Sequence, residues 1–148
     1  MVKAYLKYVQ QDVYGGLVGN QCRIVICKVY DTNDEVIGYF LVSACNEVVN
    51  FTNIKTGEIK FKIYDKEALH GYVTCLQATS DYIAIGYSTG TILVYSLKLE
   101  GENLEEVHKF AFHRSQVTCI EFFNNNTQMA SGSTDTYISV YDLIADTA

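Results

Sequence analysis

The chain has 148 residues, of which 49% are hydrophobic and 19% charged, the balance of a folded domain and not of a disordered tail. Its 11 basic and 17 acidic residues leave a net charge of −6, which argues against a module whose main contact is a phosphate backbone. Five scattered cysteines (Cys22, Cys27, Cys45, Cys75, Cys119) form no disulfide framework, no run nears the ~20 apolar residues of a membrane span, and the first eight residues lack the apolar core of a signal peptide; a reduced compartment, cytosol or nucleus, fits best.

Strand signals then follow one another along the chain. Residues 12–19 and 22–29 read as the inner strands of a first, degenerate unit, with 23–27 rich in β-branched residues. Residues 37–42 and 47–51 are short, apolar and aromatic, and Thr56-Gly57 makes a turn. Residues 58–64 alternate polar and apolar side chains, as a half-buried strand does. Strands are expected at 73–76, 83–87 and 92–97, with a tight turn at Ser88-Thr89-Gly90. The acidic stretch 98–106 reads as a solvated loop. Strands return at 117–120, 129–133 and 138–143, with turns at Asn124-Asn125-Asn126 and at 133–136. No stretch carries a sustained helical period, and without a single proline the turns rest on Gly, Asn and Asp.

One passage occurs twice. His70-Gly71-Tyr72-Val73-Thr74-Cys75-Leu76, then Ile83-Ala84-Ile85-Gly86-Tyr87, then Ile92-Leu93-Val94-Tyr95-Ser96-Leu97 is answered by His113-Arg114-Ser115-Gln116-Val117-Thr118-Cys119-Ile120, Met129-Ala130-Ser131-Gly132-Ser133 and Ile138-Ser139-Val140-Tyr141-Asp142-Leu143. Val73 and Val117 are 44 positions apart (117 − 73), and Gly86 and Gly132 are 46 apart (132 − 86). A period of about 40–45 residues holding several short strands marks propeller blades. The period divides the chain into roughly three and a half units, fewer than the about 4–8 of a closed propeller. The expected fold is therefore all-β, a partial propeller of about three blades covering residues 1–148 and forming the N-terminal part of a larger one. Its degenerate first blade is set at 5–57 and the clearer repeats at 58–97 and 107–143.

These residues resemble the WD-repeat family of β-propellers. The resemblance implies a hydrogen-bonded tetrad within a blade, carried here by His113, Ser131 or Ser133, Asp135, and Tyr141 at the family's tryptophan position. The chain departs from the family in having no tryptophan, in Thr89 at the tetrad Asp position of the first clear repeat, and in lacking a Gly before His70 or His113. A narrower resemblance rests on Tyr5-Leu6-Lys7-Tyr8, Tyr14-Gly15-Gly16-Leu17-Val18, Ala44-Cys45-Asn46-Glu47-Val48, Lys55-Thr56-Gly57-Glu58 and residues 83–97, in that order. It points to the long double-propeller WD-repeat subunits of the UTP-B part of the small-subunit processome, related to periodic tryptophan protein. That resemblance implies a non-catalytic scaffold in the nucleolus. It would act in early pre-rRNA processing and small ribosomal subunit assembly, with other UTP-B and processome proteins as partners. Small nucleolar RNA and pre-rRNA would be met indirectly, within the assembled U-three ribonucleoprotein. The alternative is a general WD-repeat interaction adaptor such as a ubiquitin-ligase substrate receptor, against which Tyr141-Asp142-Leu143-Ile144 lacks the family's Trp-Asp-x-Arg.

Other chemistry is weaker. Ser131, His113 and Asp135 are the residue types of a catalytic triad, but Ser131-Gly132-Ser133 lies in a strand and forms no nucleophile elbow. His70 with Cys75 and His113 with Cys119 have the wrong spacing for zinc and belong to successive blades; small thiols packed in inner strands explain them better. Cys22 and Cys27, an odd number of positions apart, are expected on opposite faces of one strand. Gly15, Gly16 and Gly19 lack the ending of a phosphate loop and are read as turns. No cofactor, metal or small-molecule substrate is expected. Tyr87, Ser88, Asp135 and Tyr137 are expected at a protein-binding rim near the inter-strand turns.

Overall fold

The computed structural model describes Gly19, residues 22–64 and residues 69–144. The expected strand at 12–19, apart from Gly19, and the Tyr5–Tyr8 and Tyr14–Val18 segments lie outside these residues. Eleven strands and no helix are found among the described residues. Strands β1 (Val25–Tyr30), β2 (Val36–Cys45), β3 (Val48–Asn53) and β4 (Ile59–Tyr64) form one antiparallel meander. Strands β5 (Val73–Ala78), β6 (Tyr82–Tyr87), β7 (Ile92–Glu100) and β8 (Asn103–Phe110) form a second, and β9 (Val117–Phe123), β10 (Gln128–Ser133) and β11 (Ile138–Asp142) a third. A single parallel bridge, Tyr30 to Lys98, ties the first sheet to the second.

The three sheets are blades stacked face to face. The side chains that alternate along each strand divide between the two faces, and apolar faces of the first and second blades meet the blade that follows. Between the first and second blades lie Phe40, Val42, Ala44, Val49 and Phe51 on one side and Ile83, Ile85, Tyr87, Leu93 and Leu97 on the other. Phe61 of β4 joins them, its ring centroid 5.4 Å from Phe40 and 6.2 Å from Phe51. Between the second and third lie Ala84, Ile92 and Val94 against Val117, Ile120, Met129 and Leu143. Each large side chain buried in these layers contributes about 1.5–3 kcal/mol, so the interfaces between blades, more than any one sheet, hold the stack together.

The repeats and the sheets are out of step by one strand. Residues 58–97 open with β4, the outer strand of the first blade, and residues 107–143 open within β8, the outer strand of the second. Every repeat therefore completes the blade before it and builds most of its own.

Two local expectations are corrected. The acidic stretch 98–106 is a hairpin: β7 runs on to Glu100, Gly101 turns at φ +66°, and β8 begins at Asn103, with Leu99 opposite Leu104. Leu99 is buried and Leu104 packs on the same core, so alternate apolar residues outweigh the charges between them. Cys22 and Cys27 do not face apart. Cys22 precedes β1, outside strand geometry, and both thiols are buried in one apolar layer.

Candidate functional site: the polar centre of the third blade

His113 sits in the loop from β8 to β9, and its imidazole is enclosed. Nδ1 lies 3.0 Å from Asp135 Oδ2, and Nε2 lies 2.7 Å from Ser131 Oγ. Because an ionised carboxylate can only accept, Nδ1 carries the proton and Nε2 accepts from the Ser131 hydroxyl. The Tyr141 hydroxyl lies 3.4 Å from Ser131 Oγ, on β11, and its ring stacks on Phe110 of β8 at 4.2 Å. One connected group thus links the entry loop, β10, the β10–β11 turn and β11.

Asp135 anchors the turn. Its carboxylate accepts the backbone N–H of Arg114 at 2.9 Å and of Tyr137 at 2.9 Å. Burial pushes its pKa upward, but these two N–H donors and His113 outweigh it and hold the carboxyl at about 2. The backbone is arranged for this contact: Thr136 takes a left-handed φ of 73°, and Gly90 of the preceding blade (φ 95°) lies against the carbonyl of His113. A side chain at Gly90 would collide with that carbonyl.

The two serines part company. Ser131 meets His113, whereas Ser133 Oγ donates to the Ser115 carbonyl at 3.0 Å and accepts the Asp135 N–H at 3.2 Å. The second blade has no such group. Ile85 stands where Ser131 stands in the third, and Thr89, at the Asp135 position, donates instead to the His70 carbonyl at 2.7 Å.

The expected rim also divides. Tyr87 is fully buried, at the end of β6, where its ring packs 5.4 Å from His70 and inside the layer between blades; it is not a rim residue. Asp135 is committed to the polar centre. Ser88 is half-buried and accepts the Tyr72 N–H at 3.1 Å. Only Tyr137, 64% exposed, projects from this edge, and it is joined by Phe112, Tyr72 and Arg114, which sequence reasoning passed over. The signal available for Phe112 was its place before His113, where Leu69 stands before His70; both are exposed.

Cysteine chemistry is muted. Burial raises the Cys27 thiol to about 12, and burial, the largest effect, raises Cys75 to about 12 as well. Cys75 is half-buried and Cys119 exposed, so the expected core packing holds only partly for the first and not for the second. Among the described residues no three His, Cys, Asp or Glu side chains gather as a metal site.

Comparison with known proteins agrees with this geometry. Residues 104–142 match the family model "WD domain, G-beta repeat", a span that covers β8 to β11 and so the whole polar centre. The chain is 29% identical over 145 residues to U3 small nucleolar RNA-associated protein 12 of Saccharomyces cerevisiae, covering 90% of this chain and 15% of that protein. It is 28% identical over 102 residues to WD repeat-containing protein 3 homolog of Dictyostelium discoideum, covering 66% of this chain and 9% of that protein. Restriction of telomere capping protein 1 of Candida dubliniensis is 31% identical over 71 residues, 48% of this chain and 6% of that protein. The chain therefore spans a small fraction of the length of these relatives. Among solved structures, a chain of the mitotic checkpoint complex superimposes with a TM-score of 0.61 at 16% identity, covering 80% of this chain and 34% of that one, a likeness of fold alone. Stacked antiparallel meanders, a repeat offset by one strand, and a match to the WD domain, G-beta repeat model over the third blade give this chain the fold of a partial β-propeller whose third blade is of the WD-repeat type.

Proposed function

We propose that the chain is a non-catalytic scaffold segment in ribosome biogenesis, part of the small-subunit processome of the nucleolus. In this reading it holds other UTP-B and processome proteins in place and meets small nucleolar RNA and pre-rRNA only through the assembled particle. The observation that carries it is the similarity to the yeast U3 small nucleolar RNA-associated protein along 90% of the chain. The acidic balance supports protein partners over direct phosphate contact.

His113, Ser131, Asp135 and Tyr141 act in this reading as a structural tetrad. Their spacing is that of a catalytic triad, but Ser131 is 2% exposed and its hydroxyl is engaged by His113 and lies beside the Tyr141 hydroxyl, which supports the structural role. Residues 1–148 form one propeller segment with repeats at 5–57, 58–97 and 107–143. Tyr137, Phe112, Tyr72 and Arg114 form its partner-binding rim, aromatic and cationic anchors of the kind that dominate interfaces.

The shorter similarity to restriction of telomere capping protein 1 favours a second reading, a WD-repeat adaptor outside ribosome assembly. Affinity purification of the tagged protein from its own cells, with mass spectrometry and RNA sequencing, separates the two. Recovery of processome proteins with U3-type small nucleolar RNA supports the scaffold. Recovery of a ubiquitin-ligase or another complex outside ribosome assembly, without that RNA, overturns it.

A further inference from the structure

The second and third blades meet toward their outer strands through a column of rings. Phe110 of β8 stacks on Tyr141 of β11 with centroids 4.2 Å apart, and His108 lies on Phe110 at 5.7 Å. The first and second blades repeat this junction with one ring missing. Ile63 of β4 lies opposite Val49 as Phe110 lies opposite Ile92, and Val49 and Ile92 each face the blade that follows. Tyr95 of β7 lies opposite Ile83, and Tyr141 opposite Met129, so the two tyrosines are equivalent. Ile63 thus stands where Phe110 stands in the next junction. Phe61, at the place of His108, packs on Phe40 and Phe51 instead. A groove of about 330 Å³ remains, lined by Phe61, Ile63, Tyr95 and Leu104. Its two walls come from neighbouring blades that are both described, so it is not an end of the stack.

Strand β4 also ends its sheet. It pairs with β3 on one side, and among the described residues no strand pairs with its other edge, which leaves backbone donors and acceptors open beside the groove. Its charged side chains, Lys60 and Lys62, are both exposed, and among the described residues neither has a carboxylate partner. Lys60 Nζ lies 5.9 Å from the Phe61 ring centroid. In a chain of net charge −6 this edge is a local surplus of positive charge, whereas the equivalent β8 carries Glu105, Glu106 and Lys109. Glu102 stands on the opposite wall, so the charge reverses across the groove.

We propose that this groove and edge take an extended segment of a partner protein in which an aromatic side chain is flanked by carboxylates. The segment adds as a further strand beside β4, its backbone meeting the open edge. Its aromatic ring fills the place that Phe110 fills in the next junction, against Tyr95 and Ile63. Alternation then puts the carboxylates on the side of Lys60 and Lys62 and away from Glu102, which fixes how the strand faces. Edge lysines repel strands of like charge, so the residues that keep this edge from random pairing also select an acidic occupant. The groove is built from other residues than the rim at Phe112 and Tyr137, and its occupant is set by chemistry whichever particle the chain joins.

Fluorescence anisotropy with the full chain and a labelled peptide, Thr-Glu-Val-Glu-Phe-Glu-Val-Thr, tests this, with backbone amide shifts locating the site. The expected result is saturable binding with shifts in β4 and the β7–β8 hairpin. Replacing the peptide's Phe by Ala should weaken binding about tenfold or more. Lys62→Glu should weaken it about fivefold, an effect that added salt reduces. Ile63→Phe supplies the missing ring from the chain itself and is expected to lose binding while the β-sheet circular dichroism is kept. If Ile63→Phe does not fold, Lys60→Glu combined with Lys62→Glu, both on the surface, takes its place and should lose binding likewise. No saturable binding, binding indifferent to the peptide's Phe, or shifts confined to the rim would overturn the proposal. Concentration-dependent shifts in β4 without peptide would overturn it too, and give the groove to a second copy of the chain.

Discussion

Asp135 holds the loops of the third blade through three acceptor contacts: the N–H groups of Arg114 and Tyr137 and Nδ1 of His113. Its folded pKa of about 2 lies below the ~3.9 of an unfolded aspartate. A depressed carboxyl stabilises the fold fully above the unfolded value and loses that contribution as pH falls through the folded one. Asp135→Asn is therefore expected to be less stable than wild type by a constant margin from pH 7 down to about 5. The margin should shrink between about 4 and 2. Urea titrations across that range measure it, and a margin that stays flat to pH 2 would remove the carboxylate from the account. Ser131→Ala strips the hydroxyl from an enclosed His113 Nε2 and is expected to cost about 1–3 kcal/mol in the same titrations, with no pH window of its own.

At the scale of strands and turns, two glycines at left-handed φ allow a clean comparison. Gly101 (φ 66°) turns the β7–β8 hairpin into open space, so Gly101→Ala bears only the left-handed backbone cost, about 1–2 kcal/mol. Gly90 (φ 95°) lies against the His113 carbonyl, so Gly90→Ala adds displacement of that loop and should lower the melting temperature clearly more. Equal shifts for the two would mean that the contact yields at no cost. The turns themselves were legible in the sequence, because Gly, Asn and Asp mark positions that few other residues tolerate. So were most strands, whose period of two survives in short apolar runs such as 83–87 and 138–142. The hairpin at 98–106 was not, since acidic composition masked the alternation that places Leu99 against Leu104. The choice between Ser131 and Ser133 was also closed to sequence reasoning: residues two apart on a strand share a face, and only the loop bearing His113 separates them. Tyr87 and Cys119 erred in opposite directions for one reason. Burial in this fold depends on whether a neighbouring blade arrives, and local sequence does not record that.

The whole molecule behaves as a chain of nearest neighbours. The second blade is covered on both faces, by one apolar layer shared with the first blade and a separate one shared with the third. Stability in such stacks is approximately the sum of each unit and its contacts with the next. The contact between the second and third blades can be weakened at one atom. Thr74 Oγ1, buried, lies 2.6 Å from the Val117 carbonyl, while two further side-chain bonds across this junction, Gln77 to Glu121 and Asn126 to Ser80, are exposed and weaker by that fact. Thr74→Val keeps the shape and leaves the Val117 carbonyl without its donor, at a cost of about 1–3 kcal/mol. If the blades are coupled only to their neighbours, that loss appears locally. Amide exchange should accelerate about 5–150-fold in β9–β11 and leave β1–β4 near the wild-type rate. A uniform acceleration across all eleven strands would show instead that the stack opens as one cooperative unit, with the two apolar layers tied more tightly than their separation through the middle sheet implies.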